Sequence, residues 1–87
     1  MYDVVISKSF DKELRKEIKH NHKLWLHVNK TLKLLNSNVR HKSLKLHKLS
    51  GTEYWSVSID AGYRMIIKIE GKSIICLKFG THEEVYK

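Results

Sequence analysis

Eighty-seven residues allow one small domain, 1–87, with one modest core and no room for a second. Apolar residues make up 41% of the chain, too many for a disordered segment, while zero prolines and four glycines leave little scope for long flexible loops. The formal net charge of +8 comes with apolar runs of only a few residues and a single cysteine, which excludes a membrane-spanning helix and a disulfide framework.

The first element is a short strand, Tyr2 to Ser7, with Val4, Val5 and Ile6 β-branched. It lacks the basic leader and the length of a signal peptide, and with the lone Cys76 it points to a reduced, cytoplasmic setting. Ser7 or Ser9 caps a helix reaching about His20, whose core face is Phe10, Leu14 and Ile18 at i, i+4, i+8. Asn21 caps a second helix to about Asn36, with Leu24, Val28, Leu32 and Leu35 as its apolar stripe and Trp25 widening it. The short connection makes the two a helical hairpin. His20, His22 and His27 lie here without an acid or thiol to complete a metal site, so they read as surface residues and no metal or cofactor is expected.

After the Asn36-Ser37-Asn38 break, Leu44 to Leu49 forms an extended segment ending at Ser50-Gly51. Three strands follow, Tyr54 to Ile59, Tyr63 to Glu70 and Ser73 to Phe79, joined by turns at Asp60-Ala61-Gly62 and Gly71-Lys72. The order predicts an α+β domain: an N-terminal strand, a two-helix hairpin, then a three- to four-stranded antiparallel sheet with the helices on one face. Gly80 is expected to let the backbone leave the sheet, followed by His82 and, four residues on, Tyr86. Two readings of this tail stay open: a terminus whose Val85 and Tyr86 pack back on the domain, or a proton-transfer histidine at a sheet edge.

Alternation along the strands assigns Met65, Ile67 and Ile69, Trp55, Val57 and Ile59, and Ile75, Leu77 and Phe79 to the core. The other face then carries Ser56, Ser58, Arg64, Lys68 and Lys78, a cationic floor with hydroxyls beside it. The charge is also lopsided along the chain. From Ile18 to Thr52 there is no acid, against eight Lys/Arg and five His, a field that attracts polyanions such as RNA. Arg64, Lys78 and Lys68, with Lys45 and Lys48 from the basic stretch, are the expected phosphate contacts.

Four stretches in order, Leu46-His47-Lys48-Leu49-Ser50-Gly51, Tyr54-Trp55-Ser56-Val57, Gly62-Tyr63-Arg64-Met65-Ile66-Ile67 and Gly80-Thr81-His82-Glu83-Glu84-Val85-Tyr86, resemble the RelE/ParE superfamily of bacterial toxins. The Gly-Thr-His followed by an aromatic is similar to the YafQ-like branch. The resemblance implies a ribosome-dependent endoribonuclease that cuts messenger RNA, with the ribosome and mRNA as partners. It also implies a cognate antitoxin, acidic and helical, with the toxin a monomer or part of a toxin–antitoxin hetero-oligomer. By position, His82 matches the histidine used for proton transfer in that branch, Tyr86 a C-terminal aromatic, and Lys78 a site often held by arginine. Arg64 matches the arginine of the Tyr-Arg strand motif that contacts the scissile phosphate, and His47 aligns with a histidine before the Leu-x-Gly turn. Ser56 and Ser58 stand where RelE carries lysines, and the second sheet histidine of YafQ-like toxins is missing. The alternatives are a ParE-like gyrase inhibitor without nuclease chemistry and a catalytically inactive RNA-binding member.

Overall fold

A computed structural model describes residues 1–86; Lys87, the last residue of the C-terminal stretch, lies outside the described residues. The chain runs β1 (Asp3–Ile6), α1 (Lys8–Ile18), α2 (His22–Ser37), a 3₁₀ turn (Lys42–Leu44), β2 (His47–Lys48), β3 (Tyr54–Ser58), β4 (Tyr63–Glu70), β5 (Ser73–Thr81) and α3 (His82–Val85). No helix among the described residues is long and apolar enough to cross a membrane.

Both long helices begin where their caps direct. Ser7 Oγ accepts the Phe10 N–H at 3.1 Å, and Asn21 Oδ1 accepts the Leu24 N–H at 3.0 Å. Phe10 and Leu14 of α1 are buried, as are Leu24, Val28, Thr31 and Leu35 of α2. Thr31 takes a place on the apolar stripe because its hydroxyl donates to the His27 carbonyl at 2.8 Å, so no polar atom is left bare. Leu32 is only partly buried, and Trp25 is 38% exposed and does not widen the stripe as expected.

The sheet has five strands in the order β1-β5-β4-β3-β2, and it is mixed rather than wholly antiparallel. β1 joins β5 in parallel, Val4 beside Ile74 and Ile6 beside Cys76, because the helical hairpin supplies the crossover that parallel strands need. The segment before β3 is less extended than expected. Leu44 is buried within the 3₁₀ turn, and only His47 and Lys48 pair with β3.

The face assignment fails on β5, for a local reason. The β4–β5 ladder pairs Ile67 with Cys76 and Ile66 with Lys78, so Leu77 is an extra residue, a β-bulge. Before it, Ile74 and Cys76 point into the core; after it, Phe79 does. Ile75 and Leu77 are only half-buried. Gly80 also departs from expectation. It stays in the ladder opposite Arg64, and the strand runs on through Thr81. The core closes around Phe79, whose ring meets Phe10 edge-on at 5.7 Å and stacks on Tyr63 at 5.5 Å.

His27, read as a surface residue, ties α2 to the β3–β4 turn. Its Nδ1 lies 2.9 Å from Asp60 Oδ2, while Asp60 Oδ1 accepts the N–H groups of Gly62 at 2.8 Å and Tyr63 at 3.0 Å. Burial pushes the Asp60 carboxyl pKa up, but these hydrogen bonds and the His27 charge outweigh it and hold the pKa below its ordinary value. Such a carboxylate stabilises the fold above its unfolded pKa and loses that contribution as pH falls through the folded one. Asp60→Asn is therefore expected to cost about 1–3 kcal/mol at neutral pH. The melting-temperature gap from the parent should shrink below about pH 4; a pH-independent gap would contradict the clamp. Phe79→Ala should cost about 3–5 kcal/mol by chemical denaturation.

Candidate active site on the open sheet face

Cross-strand register builds the site in rows. His47, Ser56, Ile66 and Lys78 occupy one row across β2, β3, β4 and β5, and Ser58, Arg64 and Gly80 form the next. Lys78 reaches this face only because the Leu77 bulge reverses the alternation that would have set it beside Ile74 and Cys76. The helices cover the opposite face, so this one is open except where α3 lies on it.

Three features bring α3 back onto the sheet. Thr81 and Glu84 form a capping box: Glu84 Oε1 accepts the Thr81 N–H at 2.8 Å, and Thr81 Oγ1 accepts the Glu84 N–H at 3.3 Å. Gly80 leaves the space. A Cβ there would sit 3.0 Å from Glu84 Cβ and Oε1, so a larger residue would push the helix away. Val85 is buried. His82 and Tyr86, four apart, share one side of this turn with ring centroids 4.5 Å apart, edge to face.

Ser56 joins the two halves. It is fully buried, accepts from Arg64 Nε at 3.0 Å, and its hydroxyl lies 2.5 Å from the Tyr86 hydroxyl. The result is a continuous chain of contacts, Arg64–Ser56–Tyr86–His82, from β4 through β3 to α3. Arg64 spends only Nε on Ser56; among the described residues its terminal nitrogens have no hydrogen bond and no carboxylate partner. Its planar fork is thus left with donors for an anion. His82 and His47 are both exposed, His47 with Nδ1 3.3 Å from the Lys45 carbonyl.

The remaining lysines separate into different surroundings. Lys78 is exposed and has no acidic partner among the described residues. Lys68 shares the open face but is held by Glu70 at 2.7 Å and Glu53 at 3.0 Å, which raise its pKa and neutralise its charge locally. Lys48 lies over the Trp55 ring at 5.8 Å, toward the helix-covered side. Lys45 adopts a left-handed backbone (φ 46°) after the 3₁₀ turn and lines a hollow of about 210 Å³ with Arg40, His41 and Lys42, apart from the Arg64 row. Of the expected set, the structure gathers Arg64, Tyr86, His82, His47 and Lys78 on one face.

Two features of the site were missed in the sequence. The Thr81-x-x-Glu84 spacing is a legible capping box and explains Glu84, whereas nothing in the alternation marks Ser56 as a buried bridge. A groove of about 330 Å³ also opens beside the Ser56 row, with Ile66, Leu77, Val85 and Tyr54 in its lining and Lys78 at its edge. Among the described residues no three His, Cys, Asp or Glu side chains converge as metal ligands. The assembled groups offer cationic donors for a phosphate and imidazole and phenol groups for proton transfer.

The family model of the ParE-like toxin domain matches residues 16–86. No curated protein is similar enough in sequence to count as a match. Among solved structures, the chain is similar to a variant of YafQ from E. coli, at 21% identity over 100% of both chains with a TM-score of 0.80. It is similar to a chain of the E. coli DinJ–YafQ complex at 23% identity, again over 100% of both chains and with a TM-score of 0.80. It also resembles the YoeB–YefM complex from Staphylococcus aureus at 20% identity, covering 94% of this chain and 98% of that one, TM-score 0.76. At these identities the structural likeness is one of fold, and it agrees with the five-stranded mixed sheet and its helical hairpin. With the family match spanning most of its length, the chain belongs to the ParE-like toxin domain family.

Proposed function

We propose that this toxin is a ribosome-dependent endoribonuclease that cleaves messenger RNA by attack of a 2′-hydroxyl on the adjacent phosphate. The observation that carries the reading is the Arg64–Ser56–Tyr86–His82 chain, which sets a guanidinium fork and an imidazole on one open face, the groups such a reaction calls for. In the reaction, a base takes the 2′-hydroxyl proton and the oxygen bonds to phosphorus. The bond to the 5′-oxygen then breaks, and an acid protonates that leaving group, giving a cyclic phosphate and a free 5′-hydroxyl. His82 and His47 fill the acid and base roles, and Arg64 and Lys78 offset the charge on the phosphorane oxygens. Tyr86 orients His82 and donates to, or stacks beside, the substrate. Each role has a side chain in this chain, so the proposal calls on no cofactor.

An antitoxin is the natural second partner. The formal charge of +8 favours an acidic one, and two of the similar solved structures are complexes of this kind, DinJ–YafQ and YoeB–YefM. A gyrase-directed role is the second reading. The ParE-like description of the matched family and the serines at 56 and 58 favour it.

Primer extension on translating messenger in a purified system separates the two. The nuclease reading expects codon-phased RNA cuts that fall about 10²- to 10⁴-fold in rate for His82→Ala and for Arg64→Ala. DNA breaks without RNA cuts, or parental rates in both variants, would refute it. Ser56→Ala, which touches no substrate, should slow cutting roughly 10- to 100-fold by letting Arg64 and Tyr86 drift apart. Gly80→Val should do the same by lifting α3 off the sheet, and NMR spectra should then show no through-space signal between the Tyr86 ring and Ser56 of β3.

A further inference from the structure

The groove beside the candidate site has a composition that neither the phosphate grip nor the proton-transfer groups require. Leu49, Ile66, Leu77 and Val85 give it an apolar lining with Ser9 beside them, and Tyr54, 36% exposed, is the aromatic ring of that lining. Lys78 stands at its edge. Ile66 lies between Ser56 and Lys78 in register, so the groove starts one strand spacing, about 5 Å, from the serine that holds Arg64. At about 330 Å³ it is at the small end of ligand pockets, which run from roughly 300 to 1,000 Å³.

Charge gives the groove a direction. On the Arg64 and Lys78 side the cations lack acidic partners among the described residues. On the far side, Tyr54 pairs in register with Lys68, whose ammonium is flanked by Glu53 and Glu70, leaving an excess of negative charge. A phosphate is attracted to the first side and repelled from the second. A ligand that suits both ends carries an anion for Arg64 and Lys78 and a flat neutral ring for Tyr54, which describes a nucleobase on its own backbone.

Resting on the reading of this face as an RNA-cleaving surface, we propose that the groove is a base-binding subsite. It receives the nucleobase next to the phosphate held at Arg64, stacks it on Tyr54, and sets the base preference beside the cut. Stacking on one aromatic side chain corresponds to an affinity change of about 5- to 150-fold.

The test measures binding, so that it does not depend on cleavage. A trinucleotide made uncleavable by 2′-O-methyl groups is titrated into the intact protein and followed by NMR, alongside three versions each lacking one base. One of the three should bind about 5- to 150-fold more weakly than the complete trinucleotide. Tyr54→Ala should erase that difference and Tyr54→Phe should keep it, with both variants melting near the parent. Equal binding of all four oligonucleotides, or a base advantage that survives Tyr54→Ala, would overturn the proposal. So would a Tyr54→Ala variant that binds RNA normally and loses only an acidic peptide partner. A base advantage in a protein that fails to cut messenger would reject the nuclease reading while supporting the subsite; cutting without a base advantage would do the reverse.

Discussion

Leu77 is one residue more than the β4–β5 ladder can pair, and the working half of the molecule depends on that surplus. Up to Cys76 the strand obeys strict alternation. Past the bulge the phase is reversed, which turns Phe79 inward and Lys78 outward in one step. Burying Phe79 stabilises the fold by about 1.5–3 kcal/mol, and its contacts with Phe10 and Tyr63 add about 0.5–1.5 kcal/mol each. A ladder hydrogen bond forgone at a bulge is worth only about 0.5–1.5 kcal/mol. The core therefore holds the irregularity in place, and the position of Lys78 follows from the packing of Phe79.

The open face is organised by neutral hydrogen bonds as much as by charge. Lysines at positions 56 and 58 would bring flexible cations to a floor that here holds two buried serines. Ser56 instead spends its oxygen on Arg64 and Tyr86, fixing a strand residue and a C-terminal residue to the same point. Two groups held by one buried hydroxyl lose little further freedom when a ligand arrives, which is how a small scaffold obtains a preorganised site. The cations then differ by their partners: among the described residues Arg64 and Lys78 have no carboxylate partner, while Lys68 is occupied by two.

Much of this architecture was legible in the sequence. Cap residues at Ser7 and Asn21, the helical periodicity of Phe10 and Leu14 and of Leu24 and Val28, and the alternation that sets Trp55 and Val57 beside Ile67 and Met65 each reflect one local rule, and the chain obeys them. The bulge was not legible, because Ile74 to Leu77 is a continuous apolar run in which one inserted residue leaves no mark on the pattern. Nor was the His27–Asp60 clamp, which joins residues 33 positions apart that look like solvated polar groups when read singly. For the site, the residue types at 47, 64, 78, 82 and 86 were visible; their convergence depended on Ser56 and Gly80, whose roles are set by what lies across the sheet. Glycine signalled a break at position 80, but the backbone needed it for close approach.

The parallel pairing of β1 with β5 has a temporal consequence. Asp3 and Ser73, register partners in the finished sheet, are 70 positions apart in the chain. A polypeptide emerging from its first strand must wait for the whole meander before that strand gains a partner, and contacts of such long sequence separation slow folding. β5 carries Lys78 and leads directly into His82 and Tyr86, so the strand that completes the sheet is also the one that delivers the candidate site. Closure of the sheet and completion of the candidate site are, in this topology, a single late event in the synthesis of the domain.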